Sequence, residues 1–119
     1  MSWSNHKEFA HDWIESWNAH DLDRIMSHYA DNVTLTSGKV QQVLGQEGGA
    51  VRGKANLRAY FEKRLAMPPK VHFDLVRIYS GVNTLVLEFH ASDGRHVAEY
   101  MAFNRDGLVE RVAANAAIS

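Results

Sequence analysis

The sequence predicts an α+β domain in which helices pack on one face of a curved, mostly antiparallel sheet. Three observations carry this: aromatic residues recur at helical spacing near the N-terminus, Met67-Pro68-Pro69 stops a last helical segment, and four runs rich in Val, Leu, Phe and Tyr follow it, parted by short turn signals. Runs of helix followed by runs of strand segregate in this way because each element has an apolar face to bury against another layer.

Ser4 is the predicted N-cap of the first helix. Phe9, Trp13 and Trp17 then recur every four residues, with Ala10 and Ile14 beside them, so the aromatics share one stripe. The helix ends near Ala19. Asp21 caps a shorter second helix whose Leu22, Ile25, Met26 and Tyr29 follow the i, i+3, i+4, i+7 rule, and Asp31-Asn32 is read as a turn. Residues 33–37 read as a strand. Between Gly38 and Gly53 there are five Gly, three Gln and no sustained period, which predicts a long loop or weak hairpin, in the position of a lid. A third helix runs from Lys54 to Ala66 with Leu57, Tyr60, Phe61 and Leu65 inward, and the prolines end it. Residues 71–80, 83–91, 95–104 and 108–117 are strands joined by SGV, SDG and RDG turns, in a meander.

The second hairpin sorts side chains by face. A three-residue loop, Ser92-Asp93-Gly94, sets Ala91 against Arg95 and then pairs Phe89 with Val97, Leu87 with Glu99 and Leu85 with Met101. A two-residue loop would instead set Glu88 against Glu99, like charge against like charge, so the first register is preferred. It leaves Glu99 among apolar neighbours, and puts His90 and His96 together on the opposite face with Glu88 and Tyr100.

Length and composition bound the function. The 119 residues fit one domain, 1–119, with 45% apolar and 23% charged residues, the proportions of a globular chain that folds alone. Thirteen basic against fourteen acidic residues give a net charge of −1, which supplies no field for nucleic acid or an anionic membrane; neither is an expected partner. There is no Cys, hence no thiol nucleophile or thiolate metal site, and the start MSWSNHKEF lacks a signal-peptide core, so a cytoplasmic location is expected. The seven His form no spaced ligand set; no metal and no cofactor are expected. His20 and His28 are placed at helix ends, where a protonated ring favours the dipole.

The aromatic first helix, NAHDLDRIMSHYADNVTLTS, a loop ending in VRGKANLRAYFEKRL, and hairpins closing in FNRDGLVERVAANA together resemble the SnoaL-like and ketosteroid-isomerase-like branch of the nuclear transport factor 2 superfamily. The resemblance spans nearly the whole chain. It implies a cone-shaped domain with a deep apolar cavity between helices and sheet, on a scaffold that hosts isomerases, dehydratases, epoxide hydrolases, polyketide cyclases and proteins without known chemistry. Anchored on YADNVTL and FNRDGL, the isomerase tyrosine falls at Trp13, its carboxylate base at Ser37 and its oxyanion acid at Glu99; the epoxide hydrolase acid of the last strand falls at Ala114. Only the acid survives. Ser37 cannot be the base unaided, which argues against ketosteroid isomerisation.

The resulting expectation is a small, largely apolar organic ligand held in the cavity, with acid–base chemistry of an isomerase, dehydratase or cyclase kind, or a non-catalytic binding or dimerisation module. Glu99 is the catalytic candidate, because an acid on an apolar face has a raised pKa; the alternative is an acid satisfied by a neighbouring Tyr or Trp. Trp13, Trp17, Tyr29, Ser37, Tyr60, Phe61 and Met101 are the candidate ligand-binding residues, the aromatics being either core or cavity wall. Arg52, Lys54, Arg58, Lys63, Arg64 and Lys70 read as a solvated helix face, the alternative being a stretch that steers a phosphate- or carboxylate-bearing ligand toward the Gly-rich loop. A homodimer is expected through the outer face of the sheet, where Tyr100, Val109 and Ala113 mix with His90, His96 and Arg111.

Overall fold

The structure, a computed structural model, describes residues 5–118, so the predicted cap Ser4 lies outside the described residues. Its elements are α1 (His6–Asn18), α2 (Leu22–Met26), β1 (Tyr29–Ser37), α3 (Gly38–Leu44), β2 (Ala50–Arg52), α4 (Lys54–Ala66), β3 (Phe73–Ser80), β4 (Thr84–Ala91), β5 (His96–Phe103) and β6 (Val109–Ala116). The strands form one sheet in the order β2-β1-β6-β5-β4-β3, antiparallel except that β1 runs parallel to β6. Helices cover one face, which is the predicted α+β arrangement.

Asn5 caps α1, its side chain accepting from the Glu8 amide at 2.8 Å. The helix then buries Phe9, Ala10, Trp13, Ile14 and Trp17, the stripe read from the sequence. It ends where His20 takes a positive φ of 56°, a conformation that its ring secures by donating from Nε2 to the Val71 carbonyl at 2.6 Å. Asp21 caps α2 as expected. α2 is shorter than the apolar spacing predicts: Tyr29 opens β1 instead of closing the helix, and Asp31-Asn32 is not a turn. Those two exposed residues lie inside β1 where its pairing with β6 shifts register between Tyr29 and Thr34, so a polar pair sits on a bulge. His28 follows the end of α2 as expected, but burial lowers its pKa and so disfavours the protonated ring. It is buried, with Nε2 2.7 Å from Asp12 Oδ2 and Nδ1 3.0 Å from the Ile25 carbonyl, and Arg24 reaches the same Asp12, which pins α2 to α1.

The segment predicted as a loop or weak hairpin holds a helix and an edge strand. Ser37 caps α3 by accepting from the Lys39 amide at 3.1 Å, Gly45 closes it at φ 68°, and β2 pairs Val51 with Leu35. Gly49 is required by space: a Cβ there would lie 2.8 Å from the Ser37 carbonyl oxygen. Val40 is fully buried beneath this corner. α4 has the predicted bounds, with Leu57, Tyr60 and Phe61 inward, and Met67 is extended ahead of the prolines.

The β4–β5 hairpin adopts the three-residue register. The Ala91 amide donates to Arg95, Gly94 is at φ 95°, and Leu85, Leu87, Phe89 and His90 face Met101, Glu99, Val97 and His96. Along β6, a shift between Ala102 and Phe103 turns Val109 inward, where it is fully buried against β1; it is not on the outer face. The core is aromatic at its centre: Trp13 stacks on Phe73 at 5.7 Å, Phe73 meets Phe89 at 4.5 Å, and Trp17 meets the edge of Phe61 at 4.7 Å. Among the described residues no helix is long and apolar enough to cross a membrane.

An ordered α3 makes a measurable difference. Val40→Ala is expected to destabilise the protein by about 2 kcal/mol, the value for deleting two buried methyls with their cavity. Urea unfolding measures it, and a change within about 0.5 kcal/mol, the behaviour of a surface site, would restore the loop reading.

Candidate functional site

Between α1, α4 and the concave face of the sheet lies a cavity lined by Trp13, Trp17, Leu35, Ser37, Tyr60, Phe61, Arg64, Phe73, Phe89, Arg95, Val97, Glu99 and Ala114. Its free volume is about 30 Å³, room for one or two waters. The space exists for a reason visible in the ladder. Leu87, Glu99, Ala114 and Ser37 are successive cross-strand partners on β4, β5, β6 and β1, and the two members beyond Glu99 are small.

Six of the eight predicted site residues come together here: Trp13, Trp17, Ser37, Tyr60, Phe61 and Glu99. Tyr29 and Met101 do not line the cavity; both are fully buried behind it. Tyr29 instead acts on the wall, its hydroxyl accepting the Trp13 indole N–H at 2.9 Å. Ser37 accepts from the Lys39 amide through one lone pair of its hydroxyl, which keeps its own proton to donate. Sequence reasoning missed Arg64 and Arg95. Arg64 was placed on a solvated helix face, but it sits one turn beyond Tyr60 and shares that residue's inward edge, a spacing that signals its position.

Glu99 is 8% exposed and, among the described residues, receives no hydrogen bond. Burial therefore dominates its ionisation, outweighing the attraction of Arg64 and Arg95, and the carboxyl is pushed up to about 7. Its charge in turn adds to the burial that holds the Tyr29 and Tyr60 phenols above their ordinary value. Two donors in the same wall are unpartnered: the Trp17 indole N–H and the Tyr60 hydroxyl, on side chains 2% and 3% exposed. Trp17 lies beside Tyr29, whose hydroxyl already serves Trp13, and Tyr60 lies beside the Arg64 guanidinium; neither completes a hydrogen bond. Each buried orphan costs about 1–3 kcal/mol.

At the rim, Asp93 binds both Lys39 (2.9 Å) and Arg95 (2.8 Å). Burial alone would raise Asp93, but these bonds outweigh it and hold the carboxyl at about 2. Arg64 has no carboxylate at ion-pair distance among the described residues, so the mouth carries an uncompensated cation. Among the described residues there is no group of three or more His, Asp and Glu side chains arranged to hold a metal.

Residues 10–112 match the SnoaL-like domain, and the chain belongs to that family. A SnoaL-like protein of unknown function from Burkholderia thailandensis is 36% identical, with a TM-score of 0.89 over 93% of this chain and 92% of its own. A Kribbella flavida protein provisionally named a ketosteroid isomerase has a TM-score of 0.70 at 12% identity, covering 94% of this chain and 77% of its own. One from Sinorhizobium meliloti, provisionally named a polyketide cyclase, has 0.73 at 8% identity, covering 91% and 94%. At such identities the likeness to these two is one of fold. No curated protein matches the chain.

The ionisation of Glu99 has a stability signature. Its folded pKa lies above the ordinary 4.5, so the native state binds the proton more tightly; the contribution is full below the unfolded value and is lost as pH rises through about 7. Glu99→Gln, which cannot ionise, is expected to gain on the parent by on the order of 3 kcal/mol between about pH 4 and pH 8. Urea unfolding across that range checks it; a constant difference would mean an ordinary acid.

Proposed function

We propose that this chain binds a small, largely apolar organic molecule carrying an acceptor oxygen, with Glu99 as its proton-handling group. The carrying observation is the convergence on one void of a buried acid and two unpartnered buried donors, Trp17 and Tyr60. The void and its donors take the oxygen, and the apolar body extends toward the mouth over Phe73 and Ala91, which line the adjoining hollow. With its midpoint near neutrality, Glu99 holds both protonation states: the acid donates to a carbonyl and the carboxylate accepts a proton, the two transfers that isomerisation, dehydration or cyclisation requires. The names given to the fold relatives, an isomerase and a cyclase, accord with this chemistry.

A second reading, a non-catalytic binding module, is favoured by one feature. Glu99 is the only carboxylate among the described residues lining the cavity, and the Ser37 hydroxyl beside it is no base to pair with it. Both readings share the ligand site.

We also propose that two copies associate through the outer face of the sheet. There Val86, Ala98, Tyr100 and Ala113 surround a polar cluster in which Glu88 accepts from Tyr79 at 3.0 Å and lies 2.7 Å from His96, whose ring meets His90 at 4.3 Å. Among the described residues no helix covers this face, and Tyr79 and Val76 are 46% and 43% exposed. Light scattering is expected to give a dimer mass, and Ala98→Glu a monomer; a monomeric parent contradicts the proposal.

For the ligand site, acetophenone is a suitable neutral ketone probe. Its addition is expected to shift the Trp17 indole N–H and the Glu99 carboxyl resonances in NMR spectra, and Ala114→Leu, which fills the void, to abolish both shifts. Shifts confined to surface residues, or unchanged in Ala114→Leu, would remove the reading.

A further inference from the structure

We propose that the molecule taken by the cone is a carboxylate, received between the Arg64 guanidinium, the Tyr60 hydroxyl and the Trp17 indole N–H. The inference rests on the small-molecule reading above and narrows it to one ligand class.

The Trp17 indole N–H and the Tyr60 hydroxyl belong to two of the side chains that line the cavity and find no acceptor. An ionised carboxylate is a pure acceptor with about four lone-pair sites, so it satisfies both without bringing a donor that would be orphaned in turn. A ketone oxygen has two lone pairs, enough for these two donors but with none left for Arg64.

Three cations stand at the mouth, Lys39, Arg64 and Arg95, and Asp93 binds two of them. Arg64 remains, half-buried on the inner edge of α4. A guanidinium presents its donors as a planar fork that matches a carboxylate, and such charge-assisted bonds are about twice as strong as neutral ones.

The free volume of about 30 Å³ admits a two-oxygen head and not an aromatic ring. A second hollow of about 20 Å³, lined by Met67, Val71 and Ala91, shares Arg64 and Phe73 with the first, so an apolar body extends toward the mouth over these side chains.

Glu99 then couples binding to protons. It is faced by Arg64 and Tyr60 from α4, by Tyr29 from β1 and by Arg95 at the start of its own strand; α1 presents only the indoles of Trp13 and Trp17, β4 presents Leu87 and β6 Ala114. An arriving anion favours the protonated acid. Binding therefore takes up a proton, and affinity falls as pH rises through the Glu99 midpoint, by up to about tenfold per pH unit above it.

The test titrates benzoate, acetophenone and inorganic phosphate into the intact protein by calorimetry and NMR, with Arg64→Gln and Arg64→Lys as variants. Benzoate is expected to bind at least about fivefold more tightly than acetophenone near pH 6, a preference lost in Arg64→Gln and partly kept in Arg64→Lys, and to weaken by about tenfold toward pH 8. Phosphate is expected not to compete. Acetophenone binding as well as benzoate overturns the carboxylate class and leaves the small-molecule reading standing. If neither moves the Trp17 or Glu99 resonances, both fall. Equal competition by phosphate, or a preference that survives in Arg64→Gln, overturns the assignment of Arg64.

Discussion

The side chains available to the cavity are decided by the turn Ser92-Asp93-Gly94, because successive strand residues point to opposite faces and a one-residue slip in the β4–β5 hairpin would exchange them. With three residues in the turn, Leu85, Leu87, Phe89, Val97, Glu99 and Met101 face the helices, and Glu88, His90, His96 and Tyr100 face away. The turn is held from two sides. Asp93 accepts from Arg95 within the hairpin and from Lys39 on α3, so the corner once read as a loose loop fixes the register of the strand that carries Glu99. The carboxyl of Asp93 sits at about 2, and that anchor stays charged throughout the neutral range.

Two acids six residues apart on one hairpin thus behave oppositely. Burial raises both. At Asp93 direct bonds from Lys39 and Arg95 outweigh it; at Glu99 the guanidiniums of Arg64 and Arg95 act only through space, and desolvation prevails. The difference is one of hydrogen-bond donors within reach. It also separates roles, since the saturated acid holds structure while the unsaturated one keeps capacity for a partner that arrives from outside. Trp17 and Tyr60 fit the same pattern, being buried polar groups that the fold leaves unmatched at the cavity and nowhere else among the described buried side chains.

What the sequence made legible follows from the range of the interactions. α1, α4 and the meander rest on local periodicity and on stops such as Met67-Pro68-Pro69, and the hairpin register rests on turn chemistry and on a like-charge clash between Glu88 and Glu99; all are readable without tertiary context. α3 was obscured because five glycines outweighed a short apolar pattern, Val40, Val43 and Leu44, that has helical spacing. Tyr29 was assigned to a helix because the apolar helical spacing runs on past Met26 into β1, and Val109 to the outer face because the register shift in β5–β6 breaks the parity from which faces are counted. Of the site, the acid and its aromatic company were legible. Arg64 was not, because a helix face looks solvated until the rim beside it is known, and neither was the size of the void, which is set by Ala114 and Ser37 standing in line with Glu99 across three strands.

The account depends on Glu99 being inward and desolvated. Carbon-13 NMR of its side-chain carboxyl, assigned through Glu99→Gln and followed across pH, reads this directly. A midpoint near 7 is the predicted result. A midpoint near the free value of about 4.3 would contradict it, and would return Glu99 to an ordinary solvated acid with the cavity chemistry removed.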